Sequence, residues 1–516
     1  MSMSMSASRS LGVDPPVTMS FRPMRFREAQ PNGKSVPARE PTRHVHRMRT
    51  RQRNELMSEL ADIQSTLRMA DVHTVEVAIV DTYGHLRGKR FPVDHFLRSV
   101  AEGGCHLADA IYIFDLHNDL VDSPYINMGK GFLDTHLVPD LGTLRIFGHR
   151  PGYALVFADS LEPPHRLHPI APRTVLARQI ARCRALGYSP LVATEMEFYL
   201  CEADWSHTQS HIQYSSLTDR SDLESVLLAM RLAMIDAGIP VESSNPEYGP
   251  GQIEINVQYS DAMTTADNTA LYKSIVKEIA EETGLKATFM PKPWTEPSGS
   301  GMHVHTSLVS VGDRAPAGGE QPHEAASHNA FASSEDSPNE VMSQWLGGQL
   351  DNAGALSLLG SPVPNGYKRV RPYTFAPTHV HWGLDNRSVM CRCTVGAGNA
   401  NRVEYRAPGA DANPYLMIAG LLAAGADGLE RGADPGPMSV GDQYDDPGDA
   451  VPLPANAADG IAAFEGSALA AALGEEFSTN FVLMAKAELD KFTEAGCDPI
   501  GDEVTDWERD RYIEFT

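Results

Sequence analysis

Four short stretches carry chemically capable side chains at alternate positions. They are Thr194-Glu-Met-Glu-Phe-Tyr199, Gln252-Ile-Glu-Ile-Asn256, Met302-His-Val-His-Thr306 and Arg402-Val-Glu-Tyr-Arg406. On a strand, residues i and i+2 share a face. Glu195 then projects with Glu197, His303 with His305, and Arg402 with Glu404 and Arg406. One such strand alone reads as an edge facing water. Four of them in one chain suggest a shared cavity, in which Glu195, Glu197, Glu254 and Glu404 would repel each other severely without cations. Hard divalent ions favour carboxylate oxygens and tolerate an imidazole. The forked guanidinium suits phosphate and carboxylate oxygens. Acids and arginines on one face are what metal-assisted phosphoryl transfer requires. No Gly-x-x-x-x-Gly-Lys-Ser/Thr sequence occurs, and no Gly-x-Gly-x-x-Gly opens a helix after a strand, which argues against the familiar nucleotide folds.

The elements that must position these side chains follow from local patterns. Glu55 to Met69 reads as a helix, and Val75 to Val80 as a strand that turns at Asp81-Thr-Tyr-Gly84 and returns over Leu86 to Phe91. Extended segments are expected near Ala110 to Leu116 and Leu144 to Phe147. Prolines 163, 164, 169 and 172 then mark a boundary. Helices are expected over Arg173 to Leu186, stopped by Gly187, and over Asp222 to Ala237 and Ala266 to Thr283. Gly312 to Asn339 reads as an exposed insertion, and Asn365-Gly366 as a turn. Tyr415 to Ala426 is the longest apolar run; it is too short for a bilayer and follows Asn413-Pro414, a helix cap with Pro at the first helical position. The expected organisation is a disordered basic tail over 1–54, a small domain over 55–168 and a large α/β domain over 169–516.

Composition bounds the partners. The 516 residues are 42% hydrophobic and 21% charged, which is ordinary for a globular chain and excludes collagen, coiled coil and wholesale disorder. The net charge of −24 disfavours nucleic acid and anionic membranes as partners. The first 54 residues run the other way, with 11 Lys and Arg against 3 acids. That tail has no apolar secretion segment, although its composition also suits an organelle transit peptide. Six cysteines are too sparse for a disulfide framework; Cys391 and Cys393 alternate on a strand without a second pair, so a reducing cytoplasm is the expected compartment.

Six motifs in order carry a resemblance. They are Thr194-Glu-Met-Glu-Phe198, Glu247-Tyr-Gly-Pro-Gly-Gln-Ile-Glu254, Lys286-Ala-Thr-Phe-Met-Pro-Lys-Pro293, Gly299-Ser-Gly-Met-His-Val-His305, Asn386-Arg-Ser388, and Arg402-Val-Glu-Tyr-Arg406 followed by Asn413-Pro-Tyr-Leu416. Over residues 70–515 the chain resembles the glutamine synthetase family. The resemblance implies an α+β protein, with a small N-terminal β-grasp domain and a large catalytic α/β domain, in a ring-type homo-oligomer such as a dodecamer. It implies that ATP phosphorylates the glutamate side chain and that an amine then displaces phosphate. One Mg²⁺ or Mn²⁺ site would comprise Glu197, Glu247 and Glu254, and a second Glu195, His303 and Glu404. Gly299, Arg369 and Arg406 would hold glutamate; Arg387, Arg392 and Arg402 the phosphates; His305 and Ser307 the nucleotide. Glu404 and Arg387 would act on the reacting groups.

The departures from the family pattern fall at the amine site. Ammonia-using members carry a Glu in a Pro-Gly-Tyr-Glu-Ala-Pro segment, where this chain reads Pro372-Tyr-Thr-Phe-Ala-Pro377 and places Phe375. Their Asp-Gly-Ser-Ser segment has Phe114-Asp-Leu-His-Asn118 as its nearest counterpart, so Asp115 would keep the acid that deprotonates the amine. A carboxylate attracts ammonium and takes its proton. Phe does neither, but its ring packs against the carbon skeleton of an organic amine. The expected activity is therefore glutamate–amine ligation. An ordinary glutamine synthetase using ammonia, or an inactive structural relative, stands as the alternative. Tyr444 lies near where some relatives carry a regulated Tyr, though its flanking residues match poorly, and Trp294 reads as a packing residue.

Overall fold

The computed structural model describes residues 50–516 apart from 212–213, 218–220, 297, 312–327, 334–335 and 397. Residues Met1–Met57 and Ser58–Thr516 separate as two compact units. Of the first, only the opening turns of the helix Thr50–Met69 are described, so most of the expected basic tail lies outside the described residues, as does most of the expected insertion after Gly312.

The second unit contains two sheets. The first has strands β1 (Thr74–Val80), β2 (Leu86–Pro92), β3 (Cys105–Ala108), β4 (Asp134–Pro139), β5 (Arg145–Ile146), β6 (Tyr153–Glu162) and β7 (Arg166–Leu167). Its order is β2-β1-β6-β4-β3, with β5 and β7 also on β6. The expected hairpin forms in register from Thr74 opposite Pro92 to Val80 opposite Leu86. Asp81 makes its turn: one carboxylate oxygen accepts from the amides of Tyr83 (3.0 Å) and His85 (2.9 Å). From Val77 to Val80 β1 is apolar on both faces, because both are covered there. Val75, Val77 and Ile79 pack with Ile63 and Leu67 of the first helix, while Ala78 and Val80 join the larger core.

The run Ala110 to Leu116 departs from expectation. The strand is Cys105–Ala108, and Asp109–Tyr112 form a 3₁₀ turn. Ala110, Tyr112, Ile113 and Leu116 are buried by packing rather than by a ladder, and a short apolar run carries no period that separates the two cases. Of Leu144 to Phe147, only Arg145–Ile146 pair.

The second sheet holds β8 (Tyr188–Cys201), β9 (Val241–Pro246), β10 (Gln252–Val257), β11 (Ser260–Asp261), β12 (Lys286–Thr288), β13 (Met302–Ser310), β14 (Trp382–Leu384), β15 (Cys391–Thr394) and β16 (Arg402–Tyr405). Its order is β14-β15-β16-β13-β8-β10-β9, with β11 and β12 on β8. All four alternating segments are strands of this sheet. Helices Pro172–Ala185, Ala262–Glu282 and Pro414–Arg431 supply much of the large core around it. The second begins earlier than its apolar pattern because Asp261 caps it, accepting from Met263 and Thr264 at 3.1 Å each. Asn413 caps the third, and its side-chain amide also donates to the carbonyls of Asp81 (2.9 Å) and Thr82 (3.1 Å), tying the helix to the β1–β2 turn. The run 415–426 is fully buried, and among the described residues no helix is long and apolar enough to cross a membrane. All six cysteines are free and buried.

Asn365 and Gly366 form no turn. They lie in the helix Pro364–Arg369, where buried Asn365 bonds both the amide and the carbonyl of Lys292 at 3.0 Å. Trp294 packs its ring on Tyr199 and His207.

Candidate active site

Strand register lays the chemistry out on one face. Glu254 of β10 lies opposite Glu197 of β8, and Asn256 opposite Glu195. Glu195 in turn faces His303 of β13. His305 faces Glu404 of β16, and Glu404 faces Arg392 of β15. Directly opposed residues share a face. Along β8 the residues between these acids, Thr194, Met196 and Phe198, are buried, so the apolar half of the alternation anchors the acidic half. Glu247 arrives separately, from the turn before β10, with its amide bonded to the Gln252 carbonyl at 2.8 Å. Ser307 lies on the same face of β13 as His303 and His305, by alternation.

The glutamate loop reaches this face through residues without side chains. Gly301 donates its amide to Glu197 at 2.7 Å, and a Cβ there would sit 2.4 Å from an Arg369 nitrogen. A Cβ on Gly299 would sit 2.5 Å from the Pro291 carbonyl oxygen. Gln252 holds the loop by donating to the Gly299 carbonyl at 3.0 Å.

The carboxylates fall into two electrostatic groups. Glu195 lies 3.3 Å from His303 and 2.9 Å from His305. Glu404 pairs with Arg406 and, at 2.7 Å, with Arg392. Burial raises the pKa of Glu195, but the two imidazoles outweigh it and hold this carboxyl well below the usual range. For Glu404, burial is outweighed by Arg406 and both imidazoles, giving about 2. The hydrogen bonds to Glu197, Glu247 and Glu254 come from neutral donors: the Gly301 amide, Gln252, Asn245 and Asn256. Burial, reinforced by the neighbouring acids, pushes Glu247 up to about 7 and Glu254 to about 9. Protons there take the place of a positive charge. The trio that has no cationic partner in hydrogen-bond contact among the described residues is the set that the resemblance assigns to one metal.

The ligand atoms of Glu195, His305 and Glu404 cluster within 4.8 Å, as do those of Glu195, Glu254 and His303. These groupings cut across the two sets expected from the resemblance, with Glu195 common to both. An oxygen-rich set with imidazole suits Mg²⁺ or Mn²⁺.

A pH dependence follows from the raised acids. Protons on Glu247 and Glu254 stabilise the metal-free fold fully below the unfolded-chain value of 4.5, and that stabilisation is lost as pH rises through about 7 and about 9. Divalent cations compete with these protons. Thermal melts with and without Mg²⁺ should show a larger metal-induced rise in midpoint at pH 8.5 than at pH 6; equal rises would contradict this electrostatic reading.

The arginines occupy distinct places. Arg392 bridges Glu404 and Asp385. Arg402 lies 3.2 Å from the His305 ring nitrogen Nδ1. Arg369 donates to the Ala407 carbonyl at 2.8 Å, and Arg387 is exposed. Asp115 stands in another setting. It is 2% exposed and binds Lys491 (2.5 Å), Arg511 (2.9 Å) and the amides of His117 and Asp119. Its Oδ2 meets the C-terminal helices Glu475–Glu494 and Asp506–Tyr512, and its Oδ1 the amides of its own turn.

Phe375 meets a residue that sequence reasoning missed. Its ring lies edge-on to Tyr248, with centroids 4.8 Å apart, and Tyr248 follows Glu247 in the chain. Phe375 is held at φ +63°, a left-handed conformation costly for an aromatic residue. An aromatic residue directly after a candidate ligand was the only sequence signal for Tyr248.

Comparison with known proteins agrees with this architecture. The glutamine synthetase catalytic domain matches residues 169–512. The chain is 35% identical to gamma-glutamylethanolamide synthetase of Streptomyces coelicolor, over 88% of this chain and 95% of that protein. It is 32% identical to glutamate–isopropylamine ligase of a Pseudomonas species, over 89% and 99%. A solved structure described as apo GmaS without ligand superposes with a TM-score of 0.72 at 29% identity, covering 86% of this chain and 97% of that one. The chain belongs to the glutamine synthetase family.

Proposed function

We propose that this protein is an ATP-dependent ligase that joins the γ-carboxyl of glutamate to an organic amine, releasing ADP and phosphate. The carrying observation is the Tyr248–Phe375 pair beside the acidic face. Both rings are about half exposed, at 42% and 50%, so a substrate can reach them. The names of the Streptomyces and Pseudomonas relatives, both amine ligases, support the same reading.

Glutamate's oxygen first takes the γ-phosphoryl group of ATP. The amine nitrogen then bonds to the γ-carbon, the carbon–oxygen bond to phosphate breaks, and the amine loses one proton. Arg369, Arg406 and Gly299 would hold glutamate. Arg387, Arg392 and Arg402 would steady the phosphoryl group, and His305 and Ser307 the nucleotide. Glu195, Glu197, Glu247, Glu254, His303 and Glu404 would hold Mg²⁺ or Mn²⁺, which when bound supplies Lewis-acid stabilisation of phosphoryl charge. Asp115 we assign to structure, because Lys491 and Arg511 share one of its oxygens and the amides of His117 and Asp119 the other. A cytoplasmic ring of identical subunits, with separate domains over 55–168 and 169–516, completes the proposal.

An uncharged, weakly basic amine such as an aniline suits an aromatic wall best, because no carboxylate is then needed to attract it. Phosphate release from ATP, glutamate and Mg²⁺ should be driven by organic amines in a panel. Release with ammonia alone would sink the proposal. Phe375→Glu restores an acid beside the centre and should shift the preference, as a ratio of kcat/KM, at least about tenfold toward ammonia, roughly 1.4 kcal/mol. Unchanged selectivity would remove Phe375 from the amine pocket.

A further inference from the structure

Three buried donors near the acidic face have no acceptor among the described residues: Nε of Arg369, Nε of Arg406 and the phenolic oxygen of Tyr444. Buried polar atoms left unmatched are costly, so a group of them calls for explanation. The charges of both Arg406 and Arg369 act on the Tyr444 phenol; burial outweighs them and keeps its pKa raised, so it stays a neutral O–H donor.

The chain holds Tyr444 in place by specific contacts. Asn386 accepts from the amide (2.8 Å) and hydroxyl (2.7 Å) of Ser388. Asn386 donates to the Gly441 carbonyl at 2.9 Å, and the Ser388 hydroxyl accepts from the Gln443 amide at 3.1 Å. Asp442 accepts from the amide of Tyr444 at 2.9 Å, and the Tyr373 ring packs on it with centroids 5.6 Å apart. The Asn386-Arg-Ser388 motif thus pins the segment that delivers the phenol.

We infer that Tyr444 is a substrate-binding residue, whose hydroxyl joins Arg369 and Arg406 in binding a carboxylate of glutamate. Two guanidinium N–H groups and one O–H match an anion with several acceptor lone pairs. The inference rests on the glutamate half of the proposed function and is independent of which amine is used.

The test is glutamate binding to the full-length protein by calorimetry, with Mg²⁺ and a non-hydrolysable ATP analogue. Tyr444→Phe keeps the ring and removes the donor. It should weaken glutamate binding roughly tenfold or more, since a hydrogen bond to a charged group is lost. Affinity for the ATP analogue should change less than about twofold. Tyr373→Phe, which loses only its bond to Asp445, serves as the control for segment integrity and should bind glutamate as the parent does. Equal glutamate affinity in Tyr444→Phe and the parent overturns the inference alone. So does equal weakening by Tyr373→Phe, or an ATP-analogue loss matching the glutamate loss. A parent protein that does not bind glutamate overturns the inference together with the proposed function.

Discussion

Glu254→Gln is expected to abolish turnover while leaving the metal-free protein intact. The side chain is half-buried in the acidic cluster, and its pKa of about 9 means that it carries a proton at neutral pH in the metal-free state. Gln has nearly the same shape and is neutral, so it resembles the protonated form. The melting midpoint without metal should match that of the parent near pH 4.5 and exceed it increasingly as pH rises toward about 9, because the unfolded parent releases a proton that folded Glu254 must keep. Activity behaves in the opposite way. Losing a ligand that helps hold phosphoryl charge removes on the order of 4 kcal/mol from the transition state, or about a thousandfold. The metal-induced rise in midpoint should shrink with it. A variant with more than about a tenth of parental turnover would take Glu254 out of the catalytic metal set.

Glu508→Ala should produce the largest loss of stability. Glu508 is 0% exposed and its partner Lys368 is 1% exposed, at 2.8 Å. The carboxylate also accepts from Asn365 at 3.0 Å, the Thr505 amide at 2.9 Å and the Thr505 hydroxyl at 3.0 Å. Thr505 and Glu508 form a capping box that opens the helix Asp506–Tyr512. Truncation leaves the Lys368 ammonium buried without its carboxylate, and removes one of the two acceptors of the Asn365 side-chain amide, the other being the Lys292 carbonyl. Breaking a buried pair from one side costs about 3–5 kcal/mol. The loss should appear as a lowered urea midpoint. Because Lys368 precedes Arg369, the KM for glutamate should rise as well. A destabilisation under about 1 kcal/mol would mean that the Glu503 carbonyl, 2.5 Å from the same ammonium, is sufficient compensation.

Both predictions concern residues that stand very differently toward the sequence. Glu254 was legible from alternation: once the stretch is a strand, parity assigns its side chain to the face of Asn256, and register opposite Glu197 follows in the structure. Glu508 gave a local signal only, as the third residue after a Thr cap. Its pairing with Lys368 joins positions 140 residues apart.

Errors were equally physical. Ala110 to Leu116 was expected to be extended, yet short apolar runs are buried as readily by irregular chain as by strands. Asn365-Gly366 had turn composition, but a buried amide that bonds Lys292 and Glu508 overrides that propensity. The contacts of Asp115 with Lys491 and Arg511 join it to residues almost four hundred positions away, which no local pattern announces.

What the amino-acid order determined by itself was facing: strand geometry converts odd and even spacing into acidic and apolar sides, with no distant information needed. Tertiary structure decided which charges are balanced. Glu195 and Glu404 pair with imidazoles and guanidiniums, whereas Glu247 and Glu254 take their hydrogen bonds, among the described residues, from amides, and Phe375 meets Tyr248 across more than a hundred intervening residues. Electrostatic balance and aromatic contact depend on separation in space, and separation in space is set by how the sheet and its turns close.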